Sequence, residues 1–192
     1  MRAVCILGSP RSNGSTATLL ATVIETLKAS SVDMTLFRLG EMRISYCTGC
    51  RSCDINGSCV QKDDMDKIIP AIFDSNIIIV ASPSYWGDVT GQMKTFIDRC
   101  LPCCNTNPNR LLMPGGKTGA AIAVRSGQSS GENDNLIATM RHFLGHMDIP
   151  LKHTLTVEGV TSEQDLVDKP ALLARAISFG NEIVSGLSAS LE

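Results

Sequence analysis

Four cysteines lie close together in the run CTGCRSCDINGSC, with gaps of two, two and five residues: Cys47, Cys50, Cys53 and Cys59. A [4Fe-4S] cluster takes four thiolates, and a C-x2-C-x2-C run with a fourth cysteine nearby is a usual signature for it. Gly49, Asn56 and Gly57 tolerate the left-handed backbone that aims several sulfurs at one point. We therefore expect a Cys-rich loop at 44–62, without a regular helix or strand.

Two alternatives remain open for these thiols. Four thiolates also suit tetrahedral zinc, although zinc sites more often pair two knuckles across a dozen or more residues. The thiols could also stay without metal. Three further cysteines, Cys100, Cys103 and Cys104, are interpreted as buried structural thiols, with a redox role or a partner metal site as the alternative.

A polar loop, GSPRSNGST at 8–16, follows an apolar run at Arg2–Leu7 and opens a helical pattern. It offers backbone N–H groups, five hydroxyl or amide side chains and one arginine: Ser9, Arg11, Ser12, Asn13, Ser15 and Thr16. This set predicts a cradle for one phosphate, whereas a polar turn with an N-cap serine explains only one or two of them. GGKT at 115–118 lacks the first glycine of a P-loop, so nucleoside triphosphate binding is not expected.

An aromatic loop lies in SPSYWGDVTGQMKTFIDR, at 82–99. Pro83, Tyr85, Trp86 and Gly87 bring the only tryptophan to the carboxyl end of a predicted strand, where a flat heterocycle such as isoalloxazine could lie. The alternative is a core aromatic cluster that caps the sheet. A later loop, RSGQSSGEN at 125–133, offers flexible backbone donors and acceptors.

Predicted strands and helices alternate along the chain. Apolar and β-branched runs predict strands at Arg2–Leu7, 34–39, 77–81, 117–124 and Leu151–Val157. Helical spacing predicts helices at 15–30, at 65–73 with an N-cap at Asp63 or Asp64 and a kink at Pro70, and at 90–101, 133–146 and 165–187. This alternation predicts a doubly wound parallel α/β sheet whose ligands bind beyond the carboxyl ends of the strands.

Composition narrows the class of protein. The 192 residues suit a single domain over 1–192, and a formal charge of -2 gives no general attraction to nucleic acid or anionic lipid. Apolar runs are too short for a membrane span or a signal peptide, so neither is expected. Seven of the eight cysteines cluster in two places, which suits reduced thiols in a cytoplasmic protein.

Taken together, GSPRSNGST, C-x-x-C with DDM downstream at 63–65, and SPSYWGDVTGQMKTFIDR resemble the NADPH-dependent FMN reductase family of flavodoxin-like proteins. The cysteine set is similar to that of its iron-sulfur flavoprotein branch. The resemblance implies a five-stranded parallel sheet in the order 2-1-3-4-5, in three layers α/β/α. It also implies a homodimer or homotetramer with flavin sites near subunit interfaces.

The resemblance also assigns roles to residues. It implies that the FMN phosphate is bound by Ser9, Arg11, Ser12, Asn13, Ser15 and Thr16, that Pro83, Ser84, Tyr85, Trp86 and Gly87 lie along the flavin, and that Ser126 and Gly127 edge the ring. No catalytic side chain is predicted. His142, His146 and His153 are interpreted as helix-surface and strand-end residues, and no His/Asp/Ser or Cys/His arrangement for hydrolysis is expected.

The expected function is an FMN-binding oxidoreductase that moves electrons between NAD(P)H or a reduced ferredoxin and a small or protein acceptor, with a [4Fe-4S] cluster in the cysteine loop. The alternatives are a plain NAD(P)H-dependent FMN or quinone reductase without a cluster, and a non-catalytic module with a zinc-stabilised loop. The cysteine loop follows the second strand and the phosphate loop follows the first. In a 2-1-3-4-5 sheet both emerge at one carboxyl edge, where a cluster would suit electron transfer within a subunit or across an interface.

Overall fold

The computed structural model describes residues 1–128 and 131–188. Its strands are β1 (Arg2–Leu7), β2 (Asp33–Arg38), β3 (Ile77–Pro83), β4 (Thr118–Val124) and β5 (Leu151–Val157). Its helices are α1 (Ser15–Ala29), α2 (Ser52–Asn56), α3 (Met65–Asp74), α4 (Gly91–Arg99), α5 (Gly131–His146), α6 (Glu163–Val167) and α7 (Pro170–Ser188). Single 3-10 turns cover Leu39–Glu41 and Leu101–Cys103.

All five strands are parallel, in the order β2-β1-β3-β4-β5. The central strands are apolar throughout because both of their faces are covered. On β3, Ile77 and Ile79 belong to a core that includes α1 and α7, whereas Ile78 and Val80 belong to a core that includes α3, α4 and α5. This alternation makes three layers, so the flavodoxin-like fold and its strand order are confirmed.

The predicted C-terminal helix over 165–187 is wrong in one respect: it is two helices, α6 and α7. Ser162 and Asp165 form a capping box at the start of α6. Pro170 opens α7, where its missing N–H leaves no hydrogen bond unmade. A continuous helix would place that ring against the preceding turn, so the chain breaks there.

Helix α3 begins close to the predicted position, but its cap differs in detail. Asp64 makes no side-chain capping bond, whereas Asp63 Oδ1 accepts a hydrogen bond from the Met65 amide at 3.1 Å. Pro70 lies inside this helix. In the part of the chain that the structure describes, no helix is both long enough and apolar enough to cross a bilayer.

Candidate functional site

A groove of about 260 Å³ opens beyond the carboxyl ends of β1, β3 and β4. Six residues expected to contact FMN line it: Arg11, Ser15, Pro83, Ser84, Tyr85 and Ser126. Four residues that the motifs did not single out complete its walls: Val124, Arg125, Val160 and Thr161. The structure thus brings the loops after three neighbouring strands to one groove, as ligand sites in doubly wound sheets require.

The phosphate loop presents the start of α1 to this groove. Gly14 is the N-cap and makes no side-chain capping bond, so no side chain occupies the first amide groups of the helix. Uncapped amides at a helix N-terminus, with the positive end of the helix dipole, form a site for an anion. Ser15 and Thr16 are buried beside them. The loop therefore fits a phosphate group.

Other residues of the phosphate loop shape the backbone or lie outside the groove lining. Ser9 Oγ accepts from the Arg11 amide at 3.2 Å and donates to the Arg11 carbonyl at 3.1 Å. Arg11 Nη1 donates to the Thr161 carbonyl at 3.1 Å, so the loop is joined to the chain after β5. Four expected phosphate contacts do not line the groove: Ser9, Ser12, Asn13 and Thr16.

The aromatic loop is a tight hairpin beside the groove. The Tyr85 amide donates to the Asp88 carbonyl at 2.9 Å, and the two turn residues have positive φ, 56° at Trp86 and 76° at Gly87. These angles are typical of a primed β-turn. The turn leaves Trp86 fully exposed, at 104 %, so the interpretation as a core aromatic is wrong. Neither Trp86 nor Gly87 lines the groove.

A polar network that the sequence did not predict supports the wall of the groove that Ser84 and Arg125 form. Ser84 Oγ donates to Glu132 Oε2 at 2.9 Å, and Arg125 Nη2 lies 3.2 Å from Glu132 Oε1. The Arg125 side chain crosses Gly127, where a Cβ atom would lie 2.3 Å from Arg125 Nη2. Any larger residue at 127 would therefore require the Arg125 side chain to move. The sequence signal that could have predicted this network is a basic residue, Arg125, directly after the fourth strand and an acidic residue, Glu132, in the next helix.

The cysteine loop contains a short helix, α2, which corrects the expectation of an entirely irregular loop. Gly49 and Gly57 are left-handed as predicted, with φ of 66° and 67°, but Asn56 is helical. Arg51, with φ of 59°, supplies the reversal before α2 instead. These two left-handed residues, Arg51 and Gly57, bound the helix at its two ends.

The four thiols of this loop line one small pocket, together with Asp98, Arg99, Leu101 and Pro102. Its volume is about 20 Å³, room for about one water molecule. Among the described residues, no three Cys, His, Asp or Glu side chains converge closely enough to hold a metal ion. The donor set suits a cluster chemically, but binding one requires these side chains to rearrange.

The thiols differ in environment. Cys47 and Cys50 are exposed, whereas Cys53 is buried. Hydrogen bonds from the amide and hydroxyl of Ser52, and from Thr48, lower the pKa of Cys50. Burial, and then the charge of Asp54, raise the pKa of Cys53. Cys50 is thus more readily deprotonated than Cys53.

The cysteine pocket and the FMN groove share no lining residue. Thr90, at the start of α4, donates its hydroxyl to the Gly8 carbonyl at 2.6 Å, at the groove end of β1. Arg99, at the other end of α4, lines the cysteine pocket. The helix has nine residues with a rise of about 1.5 Å each, so it spans roughly 13 Å. The cysteine loop leaves β2 at the expected carboxyl edge of the sheet, but its thiols lie beside the last residues of α4 and the turn that follows.

The second cysteine group is not uniform. Cys100 and Cys103 are buried, which raises the pKa of Cys103 to about 12 and that of Cys100 well above its usual value, as inert structural thiols require. Cys104 lies 3.7 Å from His146 Nδ1 beside a cavity of about 420 Å³. His146 lies half-buried in the last turn of α5, and its Nδ1 is also 2.8 Å from Asn105 Oδ1. His153 lies inside β5, not at its end.

Comparison with known proteins agrees with this geometry. The family model for NADPH-dependent FMN reductases matches residues 1–160. An iron-sulfur flavoprotein of Archaeoglobus fulgidus is 41% identical over 127 residues, which are 66% of this chain and 56% of that protein. An iron-sulfur flavoprotein of Methanocaldococcus jannaschii is 31% identical over 152 residues, which are 79% of this chain and 75% of that protein. The chain thus spans little more than half the length of the first relative.

Solved structures show the same fold at low identity. The NAD(P)H:quinone oxidoreductase from Methanothermobacter marburgensis superposes with a TM-score of 0.71 at 14% identity, covering 95% of this chain and 96% of that one. An FMN-dependent NADH-azoreductase from Bacillus anthracis in complex with FMN gives 0.68 at 12% identity, covering 97% and 99%. The match over 1–160, the groove beyond the strands and the cysteine set together show that this chain belongs to the NADPH-dependent FMN reductase family, in its iron-sulfur flavoprotein branch.

Proposed function

We propose that this protein is an FMN-dependent oxidoreductase that moves electrons between a reduced donor, NAD(P)H or ferredoxin, and a small or protein acceptor, with a [4Fe-4S] cluster in the cysteine loop. The observation that carries the proposal is the groove beyond β1, β3 and β4, where an uncapped helix N-terminus and Arg11 meet the loops after two further strands. Family membership supports FMN as its ligand.

The residues divide the work of holding FMN. The α1 amides, Ser15 and Arg11 bind the phosphate through charge-assisted hydrogen bonds. The loop from Pro83 to Tyr85 and the backbone at Ser126 flank the ring, while Glu132 holds both flanking loops in place through Ser84 and Arg125. When both groups are bound, FMN exchanges electron pairs for single electrons and a [4Fe-4S] centre carries single electrons.

Four thiols that line one pocket support the cluster, because a [4Fe-4S] centre takes four thiolates. The names of the relatives support it as well. Cys47, Cys50, Cys53 and Cys59 would hold it. Assembly as a homodimer or homotetramer belongs to the same proposal, and light scattering of the purified protein tests it.

The test is anaerobic purification followed by absorbance, iron and acid-labile sulfide analysis, and stopped-flow mixing with NADH, NADPH and a reduced ferredoxin. We expect a flavin spectrum with a broad shoulder that bleaches on reduction, and about four irons per chain, the content of one [4Fe-4S] cluster. Bound zinc with no reducible chromophore would contradict the proposal and favour a zinc-stabilised module.

A second candidate is a plain FMN or quinone reductase without a cluster. The small cysteine pocket favours it, since no three ligand side chains converge among the described residues. A protein that retains FMN and is reduced by NAD(P)H, but contains neither iron nor sulfide after anaerobic reconstitution, would establish this candidate.

A further inference from the structure

Arg99 is a buried cation beneath the cysteine loop. Arg99 is only 2 % exposed to solvent, although it is the last residue of a surface helix, α4. Its guanidinium forms a two-pronged pair with Asp63, with Nη1 to Oδ2 at 2.6 Å and Nη2 to Oδ1 at 3.2 Å. Removing one partner from a buried ion pair leaves an uncompensated charge and is strongly destabilising. The Arg99 guanidinium and the Asp63 carboxylate therefore depend on each other.

This ion pair closes the cysteine loop at both ends. Arg99 Nη1 also donates to the Ser45 carbonyl at 2.7 Å, two residues before Cys47. Asp63, four residues after Cys59, accepts from the Ser45 amide at 3.0 Å. The two ends of the ligand loop therefore meet at one guanidinium, which is fixed to the scaffold by α4.

The third nitrogen of Arg99 has no hydrogen-bond partner in the part of the chain that the structure describes. Nε is buried and makes no hydrogen bond to any described residue. Buried donors in native proteins are nearly always satisfied, so an exception calls for a group that is not yet in place. Arg99 lines the pocket of the four thiols, and the Cys59 sulfur is among the groups that raise its pKa against the opposing effect of burial. An anionic sulfur acceptor would satisfy this donor.

From these contacts we propose that Arg99 is the positioning residue of the cysteine site: it ties the loop ends together, its Nε–H donates a hydrogen bond to the metal-bound sulfurs, and its charge raises the reduction potential of the bound iron. This inference rests on the proposed [4Fe-4S] cluster. A cluster gains negative charge on reduction, so a nearby cation and N–H···S hydrogen bonds favour the reduced form.

Asp63, the ion-pair partner of Arg99, provides a second test. Arg99 lines the thiol pocket and Asp63 does not, so we expect the cation to act on the sulfurs more strongly than the anion does. Arg99→Gln should therefore shift the potential to more negative values, because Asp63 then acts alone. Asp63→Asn should shift it to more positive values. The double variant should lie between the two, because it removes both charges.

The experiment is an EPR-monitored redox titration of the wild-type holoprotein, the two single variants, the double variant and Lys94→Gln. Lys94 lies on the exposed face of α4 in an ion pair with Asp98, which makes it a matched control. For Arg99→Gln we expect at least about a tenfold change in the one-electron equilibrium constant, which is about 59 mV. Lys94→Gln should titrate like the wild type.

Each result decides something. Opposite shifts in the two single variants support the proposal, whereas a merely structural arginine would lower iron content without them. If Arg99→Gln does not fold, the double variant replaces it, because it leaves no unpaired buried carboxylate, and it should titrate below Asp63→Asn. If the variants contain iron and their reduction potentials are unchanged, the proposed role of Arg99 is refuted but the cluster is not. A wild-type protein without iron after reconstitution overturns the cluster as well.

Discussion

Arg11 and Ser15 are the two polar side chains of the phosphate loop that reach the groove. Their neighbours serve the backbone instead, since the Ser9 hydroxyl bonds within its own turn. The polar residues of this loop thus have at least two different uses. At the scale of single residues, some side chains of the phosphate loop, such as Ser9, stabilise its backbone, whereas Arg11 and Ser15 face the groove.

Replacing Arg11 and Ser15 together by alanine should weaken FMN binding at least about tenfold. The charge-assisted bond of the arginine contributes roughly 1.5 to 3 kcal/mol and the hydroxyl roughly 0.5 to 1.5 kcal/mol, and about 1.4 kcal/mol is one decade in affinity. Fluorescence titration of the apoprotein with FMN measures the change. Lys28→Ala, at the exposed far end of α1, is the control. An unchanged dissociation constant would show that the loop is only a helix start.

Trp86 combines full exposure with a left-handed backbone, which side chains of this size rarely adopt. Such strain is found mainly at functional positions. Because the side chain buries nothing within the chain, Trp86→Asn should not lower the melting temperature, yet it should weaken FMN binding. In the wild type, FMN should quench the emission of this single tryptophan. Full emission at saturation would place the indole away from the flavin.

At the scale of elements, α4 determines the distance between the two candidate sites. Its N-cap Thr90 is completely buried, and its hydroxyl both donates to the Gly8 carbonyl and accepts from the Met93 amide at 3.2 Å. Its last residue, Arg99, joins the ends of the cysteine loop. One helix thus holds the groove end of β1 at its start and the thiols at its end.

Thr90→Ala should lower the free energy of unfolding by about 1 to 2 kcal/mol, because α4 loses its cap and the buried Gly8 carbonyl loses a donor. Thr90→Ser keeps the hydroxyl and should recover most of the loss. Urea denaturation of the three proteins measures both effects. Equal losses in the two variants would mean that the methyl group, through packing, matters more than the hydroxyl.

At the scale of the whole molecule, one sheet carries two chemically different sites with separate linings. The groove depends on the carboxyl ends of the strands, whereas the cysteine pocket depends on α4 and the turn after it. Because they share no residue, each should tolerate the loss of the other's ligand.

Cys50→Ser should therefore abolish iron binding while FMN stays bound, because a hydroxyl replaces a thiolate ligand and the groove is untouched. Electron delivery to a one-electron acceptor should fall although NAD(P)H still reduces the flavin. Iron analysis and cytochrome c reduction rates measure the two effects. Cys104→Ser, outside the four-cysteine set, is the control. Wild-type iron content in Cys50→Ser would remove these cysteines from the ligand set.

Local sequence determined the elements. Residues 77–81 are apolar at every position, which is the pattern of a strand covered on both faces, and the structure places a central strand there. Gly49 and Gly57 predicted left-handed turns because only the absence of Cβ makes that backbone easy, and both adopt it. Such features depend on a few neighbouring residues, so they can be recognised without knowing the rest of the chain.

Tertiary structure decided which distant groups meet. Arg99 and Asp63 are separated by 36 residues, and Cys104 and His146 by 42. No spacing rule connects such pairs, because their contact depends on the length of α4, the path of the cysteine loop and the packing of α5. The same holds for the thiols: their spacing predicts a ligand set, but only the tertiary structure shows that their pocket and the flavin groove have separate linings.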